Sequence, residues 1–138
     1  MHLDDNNPPL SVLLPLGNGM RLHHLALRTR DVPRLVAFYR DVLGLAPWPT
    51  QAGNGVWLAL DGAVLMIEAA QDDEPAPDPR GRDLMALAAR DGDLARARVH
   101  LRARGVTVEA ETAHTLYFRD PDGRRVALSD FAFPHETP

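Results

Sequence analysis

The sequence contains no cysteine, which excludes disulfides, thiolate nucleophiles and cysteine-based zinc sites. It contains no lysine either. All 15 basic residues are arginine, so Schiff-base chemistry on a lysine amine is ruled out. No apolar run reaches the roughly 18 residues of a membrane span, and no basic stretch followed by an apolar one opens the chain. Neither a membrane span nor a secretory signal is expected, and a cytoplasmic location follows. The formal net charge is −4 and the arginines are scattered, so no basic stripe suited to nucleic acid forms. The glycines are isolated stops and turns and build no phosphate loop. Ser11 and Ser129 lack the G-x-S-x-G setting of an activated serine.

What is present describes one globular domain. The 138 residues, 45% hydrophobic and 25% charged, suffice to bury a core without covalent staples. Residues 1–19 mix Asn, Pro and Gly around one apolar patch, Leu10–Leu16, and read as a mobile arm or strap. The domain then runs over residues 20–138. Within it, Gln71–Arg82 is too rich in Pro and Asp for regular structure and acts as a linker (71–82) between a first module at about 20–70 and a second at about 83–131.

Those modules repeat. In the first, a strand at residues 23–31 runs into a helix capped by Asp31, with Pro33 in its first turn. Leu35, Phe38, Tyr39 and Val42 form its apolar stripe and Gly44 its stop. In the second, residues 84–89 form a strand, Asp93 caps a helix with stripe Leu94, Ala97 and Leu101, and Gly105 stops it. Each helix precedes a hairpin, turning at Asp61-Gly62 in the first module and at residues 120–123 in the second. Asp120 and Asp122 serve that turn for backbone reasons. The caps are 62 residues apart, the stops 61 and the turn glycines Gly62 and Gly123 also 61. The spacing predicts two superposable halves with about four strands each.

The stretch His24–Leu45, with H-L-A-L before Asp31 and then A-F-Y-R-D-V-L-G-L, resembles the opening of glyoxalase and bleomycin-resistance-type proteins of the vicinal oxygen chelate superfamily. Residues 116–128, LYFRDPDGRRVAL, resemble their closing hairpin, which fosfomycin-resistance enzymes and extradiol dioxygenases share. The likeness covers roughly residues 20–130. It implies an α+β fold: two paired βαβββ modules forming curved mixed sheets around a central cup that holds a metal, a ligand or both. It does not imply a reaction, because the superfamily hosts many chemistries.

Strand alternation sorts the side chains between helix-packed core and cup. Ala63, Leu65 and Ile67 are uniformly apolar and belong to the core, which leaves Val64, Met66 and Glu68 facing the cup. On the first strand Leu25 and Leu27 go to the core, and His24, Ala26 and Arg28 to the cup; His23 points to the core side. Trp57 and Ala59, then Leu84, Ala86 and Ala88, then Thr115, Tyr117 and Arg119, and finally Arg125, Ala127 and Ser129 also face inward. The alanines give room and the aromatics give walls, the composition of a ligand pocket. The expected ligand-binding residues are His24, Arg28, Trp57, Met66, Glu68, Thr115, Tyr117 and Arg119.

Metal-dependent members of the family are matched at two ligand positions, His24 and Glu68. The repeat places the other two at Leu84 and Ala127, which cannot ligate. A catalytic site normally needs three protein ligands and an open position, so no cofactor is expected beyond weak divalent binding by His24 and Glu68. His114 points away from the cup. His24 could equally hydrogen-bond in a polar floor, Glu68 could neutralise Arg28 or Arg119, and Trp57 could be interface packing. Tyr117 matches a ligand-lining position of fosfomycin-resistance relatives.

Three function classes remain open: a metal-independent small-molecule-binding protein of the bleomycin-resistance type, a glyoxalase-type lyase or isomerase with a non-standard ligand set, and a regulatory or interaction domain without a catalytic site. No residue is assigned a catalytic role. The expected partners are a small molecule and a second copy, the homodimer resting on Trp48, Phe131 and Phe133 outside the internal alternation.

Overall fold

Strand gives way to helix at Asp31. β1 (His24–Thr29) ends just before it, and the Asp31 carboxylate accepts the Arg34 amide at 3.1 Å, satisfying one orphan donor of α1 (Val32–Ala37). The computed structural model describes residues 19–134. The arm expected over residues 1–19 therefore lies outside the described residues except for Gly19, as do residues 135–138. The first helix does not run regularly to its glycine stop. It widens into a π-helical turn, Phe38–Val42, closed by a 3.0 Å bond from the Leu43 amide to the Phe38 carbonyl. Phe38 and Tyr39 are both buried within that turn.

β2 (Val56–Leu60) and β3 (Ala63–Ala69) form the hairpin around Asp61-Gly62, and Gly62 takes the positive φ of 73° that the turn requires. The second half supplies β4 (Leu84–Ala88), α2 (Leu94–Ala103), β5 (Ala110–Glu111), β6 (Thr115–Arg119) and β7 (Arg125–Ser129). Asp93 caps α2 by position, but its carboxylate pairs with Arg96 and accepts no backbone amide. Two mixed sheets result, ordered β1-β3-β2 and β4-β7-β6-β5. β1 runs parallel to β3 and β4 parallel to β7, while β2, β5 and β6 pair antiparallel with their neighbours. The class is α+β with two βαβββ-type modules, as the repeat implies. The first sheet falls short of four strands. Its fourth strand is a single bridge from Pro47 to Leu58, because Pro47 and Pro49 flank Trp48 and cannot donate to a ladder.

Both helices pack on one face of their sheets. Leu58, Leu65, Ile67, Leu116, Phe118 and Val126 have no exposure, and each buried side chain of this size contributes about 1.5–3 kcal/mol. The core is continuous across both modules, with Phe38 6.2 Å from Phe118 between ring centroids.

The modules are also joined by a buried polar clasp. The Tyr39 hydroxyl donates to Asp120 Oδ2 at 2.7 Å. Asp120, only 4% exposed, also accepts the amides of Asp122 at 2.9 Å and Arg124 at 3.1 Å, and the Arg124 guanidinium at 3.2 Å. Burial and the Asp120 charge push the Tyr39 hydroxyl far above the ordinary phenol range. Asp120 thus shapes the β6–β7 turn and anchors the first module to it.

Tyr39→Phe leaves one lone pair of a buried carboxylate unsatisfied, and should cost about 1–3 kcal/mol. Asp120→Ala leaves the buried Tyr39 hydroxyl and two turn amides without their acceptor, while the Arg124 guanidinium keeps Asp122 at 3.0 Å, and should cost about 3–5 kcal/mol. Urea unfolding at pH 7 checks both; a loss below about 0.5 kcal/mol for both variants would remove the clasp from the account.

Candidate functional site

The sheet faces turned away from the helices carry the expected ligand-binding residues. Register places His24 beside Val64, Ala26 beside Met66, Arg28 beside Glu68, and Trp57 beside Met66 on the open face of the first sheet. Arg28 and Glu68 form an ion pair, Nη1 to Oε2, at 2.9 Å. The pair is not dry, since the side chains keep 41% and 35% exposure.

A residue with no signal in its local sequence completes this cluster. Glu74, in the linker, receives Arg28 Nη2 at 2.5 Å and Arg28 Nε at 3.2 Å. The Gln71 amide donates to the same carboxylate at 3.0 Å, and Arg30 donates to the carbonyls of Asp72 and Glu74 at 3.1 and 2.9 Å. The hydrogen bond from Arg28, then that from the Gln71 amide, hold the Glu74 carboxyl down at about 2, while its carboxylates raise Arg28 further. The linker, which has no helix or strand, is thus latched to the end of β1. Only the number of charged residues in QDDEP hints at a partner, without choosing among its three acids.

His24 lies at the other end of the face. With His24 beside Val64, Glu68 stands four residues further along the parallel pair, about 13 Å at 3.3 Å per residue. The structure does not bring these two residues together, and Glu68 is turned to Arg28. His23 corrects its assignment to the core: it is exposed, and its Nδ1 meets Nδ1 of His24 at 2.9 Å. It precedes the first regular rung of β1, so strand alternation does not govern it.

On the second sheet, register sets Thr115 beside Ser129, Tyr117 beside Ala127 and Arg119 beside Arg125. Thr115 is buried, and its hydroxyl is engaged with Ser129 Oγ at 2.8 Å. The Arg125 guanidinium stacks 4.3 Å from the Tyr117 ring centroid. Arg119 and Arg125 each reach one oxygen of Glu109 at 3.1 Å, and these contacts lower the Glu109 pKa, Arg119 foremost. Arg119 also donates to the carbonyls of Gly81 at 2.7 Å and Gly123 at 3.2 Å. It clamps the linker's end to the β6–β7 turn. His114 pairs instead with Asp130 at 2.9 Å.

The registers also correct the repeat correspondence. Val64 beside His24 matches Arg125 beside Leu84, so Ser129 stands where Glu68 does, and Ala127 stands where Met66 does. None of Leu84, Ala127 and Met66 offers a hard metal ligand, and no group of three metal-binding side chains occurs among the described residues. The donor set does not fit the metal centre that metal-dependent members of this fold carry. The eight expected residues are divided between the two sheets, five on the first and three on the second, and His24 stands apart from the Arg28–Glu68 pair. Two cavities of about 530 and 560 Å³ are present, and of the eight only Arg119 borders either. No helix among the described residues is long and apolar enough to cross a membrane.

A model of the Glyoxalase/Bleomycin resistance protein/Dioxygenase superfamily matches residues 21–128. A glyoxalase/dioxygenase from Nostoc punctiforme is 22% identical, with a TM-score of 0.72, over 83% of this chain and 93% of its own. A genomically encoded fosfomycin resistance protein from Listeria monocytogenes is 16% identical, with a TM-score of 0.69, over 81% and 91%. A lactoylglutathione lyase from Agrobacterium tumefaciens is 24% identical, with a TM-score of 0.60, over 77% and 90%. At these identities the likeness is one of fold.

The Glu74 latch has a pH signature. Its carboxyl is held at about 2 in the folded chain against an ordinary 4.5. A depressed folded pKa contributes stability above the ordinary value, and that stability is lost as pH falls from 4.5 toward 2. A carboxyl-carbon NMR titration should place the Glu74 midpoint near 2, and Arg28→Ala should return it toward 4.5. A wild-type midpoint near 4.5 would contradict the latch.

Proposed function

The chain belongs to the Glyoxalase/Bleomycin resistance protein/Dioxygenase superfamily, and we propose that it is a small-molecule-binding protein that acts without a resident metal. The single observation that carries this reading is the donor set. His24 and Glu68 stand four residues apart in register, Glu68 is engaged by Arg28, and their counterparts in the second sheet, Leu84 and Ser129, offer neither an imidazole nor a carboxylate. Two separated ligands cannot fix the geometry that Lewis-acid chemistry needs.

The ligand is largely apolar and carries an aromatic or similarly flat group. Arg28 is satisfied by Glu68 and Glu74, and Arg119 and Arg125 share Glu109. With these charges mutually paired, Trp57, Met66 and Tyr117 remain as contact surface. An open sheet face cannot enclose the 70–90% of a ligand's surface that a pocket usually buries. A homodimer supplies the missing wall, by setting the first sheet's face in one copy opposite the second sheet's face in the other. Trp48, Phe131 and Phe133, exposed at 36%, 51% and 80%, are the apolar side chains that such pairing would cover. Such a protein works in the cytoplasm on a diffusible ligand.

Two measurements test this. Light scattering at micromolar concentration should give about twice 15.2 kDa, and Phe131→Ser with Phe133→Ser should shift it toward the monomer. A strict monomer that still binds an aromatic ligand tightly would contradict the shared pocket. Zinc, nickel, manganese and iron should each move the wild-type melting temperature by less than about 1 °C. The triple variant Met66→Glu, Leu84→His, Ala127→Glu puts one imidazole and one carboxylate two residues apart in register on each face, and should bind these ions at least about 100-fold more tightly. A wild-type shift of several degrees would overturn metal independence.

A further inference from the structure

The 560 Å³ cavity lies where the two modules meet. Its walls are α1 with the π-helical turn, the residues 104–109 that follow α2, and the start of the β6–β7 turn. Of the eight expected ligand-binding residues only Arg119 borders it. The geometry points to a second binding site here, for a small organic anion: a carboxylate or phosphate carried on a flat apolar body. This site is separate from the open sheet faces and stands or falls independently of them.

Charge selects the ligand's sign. Three acids border the cavity, and each already has its cation. Asp41 receives Arg40 at 2.8 and 3.2 Å. Glu109 is shared by Arg119 and Arg125, at 3.1 Å each. Asp120 is buried against Arg124 and the Tyr39 hydroxyl. Two more cations, Arg34 and Arg104, border the cavity, and among the described residues both bond only through their backbone amides. Asp31 takes the Arg34 amide and not its guanidinium. Arg40 and, at longer range, Arg104 hold the Asp41 carboxyl below its ordinary value, so the Arg104 charge is felt along this wall. With every bordering acid matched, two guanidinium groups remain in excess, in a chain whose formal net charge is −4. Their planar forks suit a carboxylate or a phosphate.

The apolar body is called for by a different observation. Phe38, Val42 and Val106 supply carbon surface to the wall. Phe38 and Val42 belong to the π-helical turn, and three of that turn's five residues, Phe38, Asp41 and Val42, border the cavity. The extra residue of a π turn rotates the side chains beyond it by about 100° from their places in a regular helix. Such turns hydrogen-bond less well than a regular helix and concentrate at functional sites. Here the rotation brings a charged and an apolar side chain to one wall. A volume of 560 Å³ falls within the range of about 300–1,000 Å³ typical of small-molecule sites, room enough for a bicyclic aromatic.

The test compares 1-naphthoate with 1-naphthalenemethanol, its neutral counterpart, and with acetate, an anion without the body. In the full chain at low salt, 1-naphthoate should shift the NMR signals of the Arg34 and Arg104 Nε–H groups and of the Val42 and Val106 methyls. The alcohol and acetate should each bind at least about ten-fold more weakly, the first for want of a charge-assisted hydrogen bond and the second for want of apolar contact. Arg34→Gln with Arg104→Gln should weaken 1-naphthoate by at least about ten-fold as well. Both side chains are exposed, so the variant should keep the wild-type melting temperature; the comparison of the three probes on wild type needs no variant at all. An alcohol that binds as well as the acid, or a folded double variant that keeps its affinity, would overturn the anion site. Shifts confined to Trp57 and Tyr117 would overturn it too, while leaving the binding role of the sheet faces intact.

Discussion

The buried carboxylate of Asp120 is the constraint on which the remaining structure depends. An anion with 4% exposure is tolerated only because four donors meet it: two amides of its own turn, the Arg124 guanidinium and the Tyr39 hydroxyl. Three of these are local to the β6–β7 turn. The fourth comes from the π-helical turn of the other module. The two repeats share a core that would tolerate small slides, since apolar contact is non-directional. A charge with a single aimed donor is not so permissive. The clasp therefore sets where one sheet stands relative to the other, and the bond from His100 to the Val42 carbonyl at 2.7 Å repeats the restraint between α2 and the first module.

A second layer of arginines ties the irregular segments to that frame. Arg28 holds Glu74, Arg30 holds the carbonyls of the same loop, and Arg119 holds Gly81 at the loop's other end. The linker has no secondary structure, yet both ends are fixed by planar guanidinium groups with several donors each. This explains how a chain without lysine uses its cations. Most of those near the sheet faces are committed to carboxylates or carbonyls, and the faces they border are electrically quiet despite many formal charges.

Much of the fold was legible in the residues, and the reasons are local. Asp31, Gly44, Gly62 and Gly123 mark a cap, a stop and two turns whose chemistry is fixed within a few residues. Alternation sorted Ala63, Leu65 and Ile67 from Val64, Met66 and Glu68 because the strand period is 2. What failed to show depends on register or distance. Glu74 finds Arg28 across 46 positions, and nothing near Glu74 distinguishes it from Asp72 or Asp73. The place of Ala127 opposite Ala86 required the β4–β7 pairing itself. Counting offsets therefore matched Glu68 to Ala127 where register matches it to Ser129. Alternation puts Thr115 on the open face, yet Thr115 is buried and bonded to Ser129, since burial depends on its neighbours. The π-helical turn has no marker in the stripe Leu35, Phe38, Tyr39, Val42, which suits a regular helix equally well.

We propose that this member of the superfamily has kept the scaffold without the metal-binding donors. Metal content per chain, measured by elemental mass spectrometry on protein purified without chelators, tests it most directly. Less than about a tenth of an ion per chain is expected, because an isolated imidazole or carboxylate holds divalent ions too weakly to survive purification. Stoichiometric zinc, nickel, manganese or iron that resists a chelator would contradict the claim and require ligands gathered from both sheets.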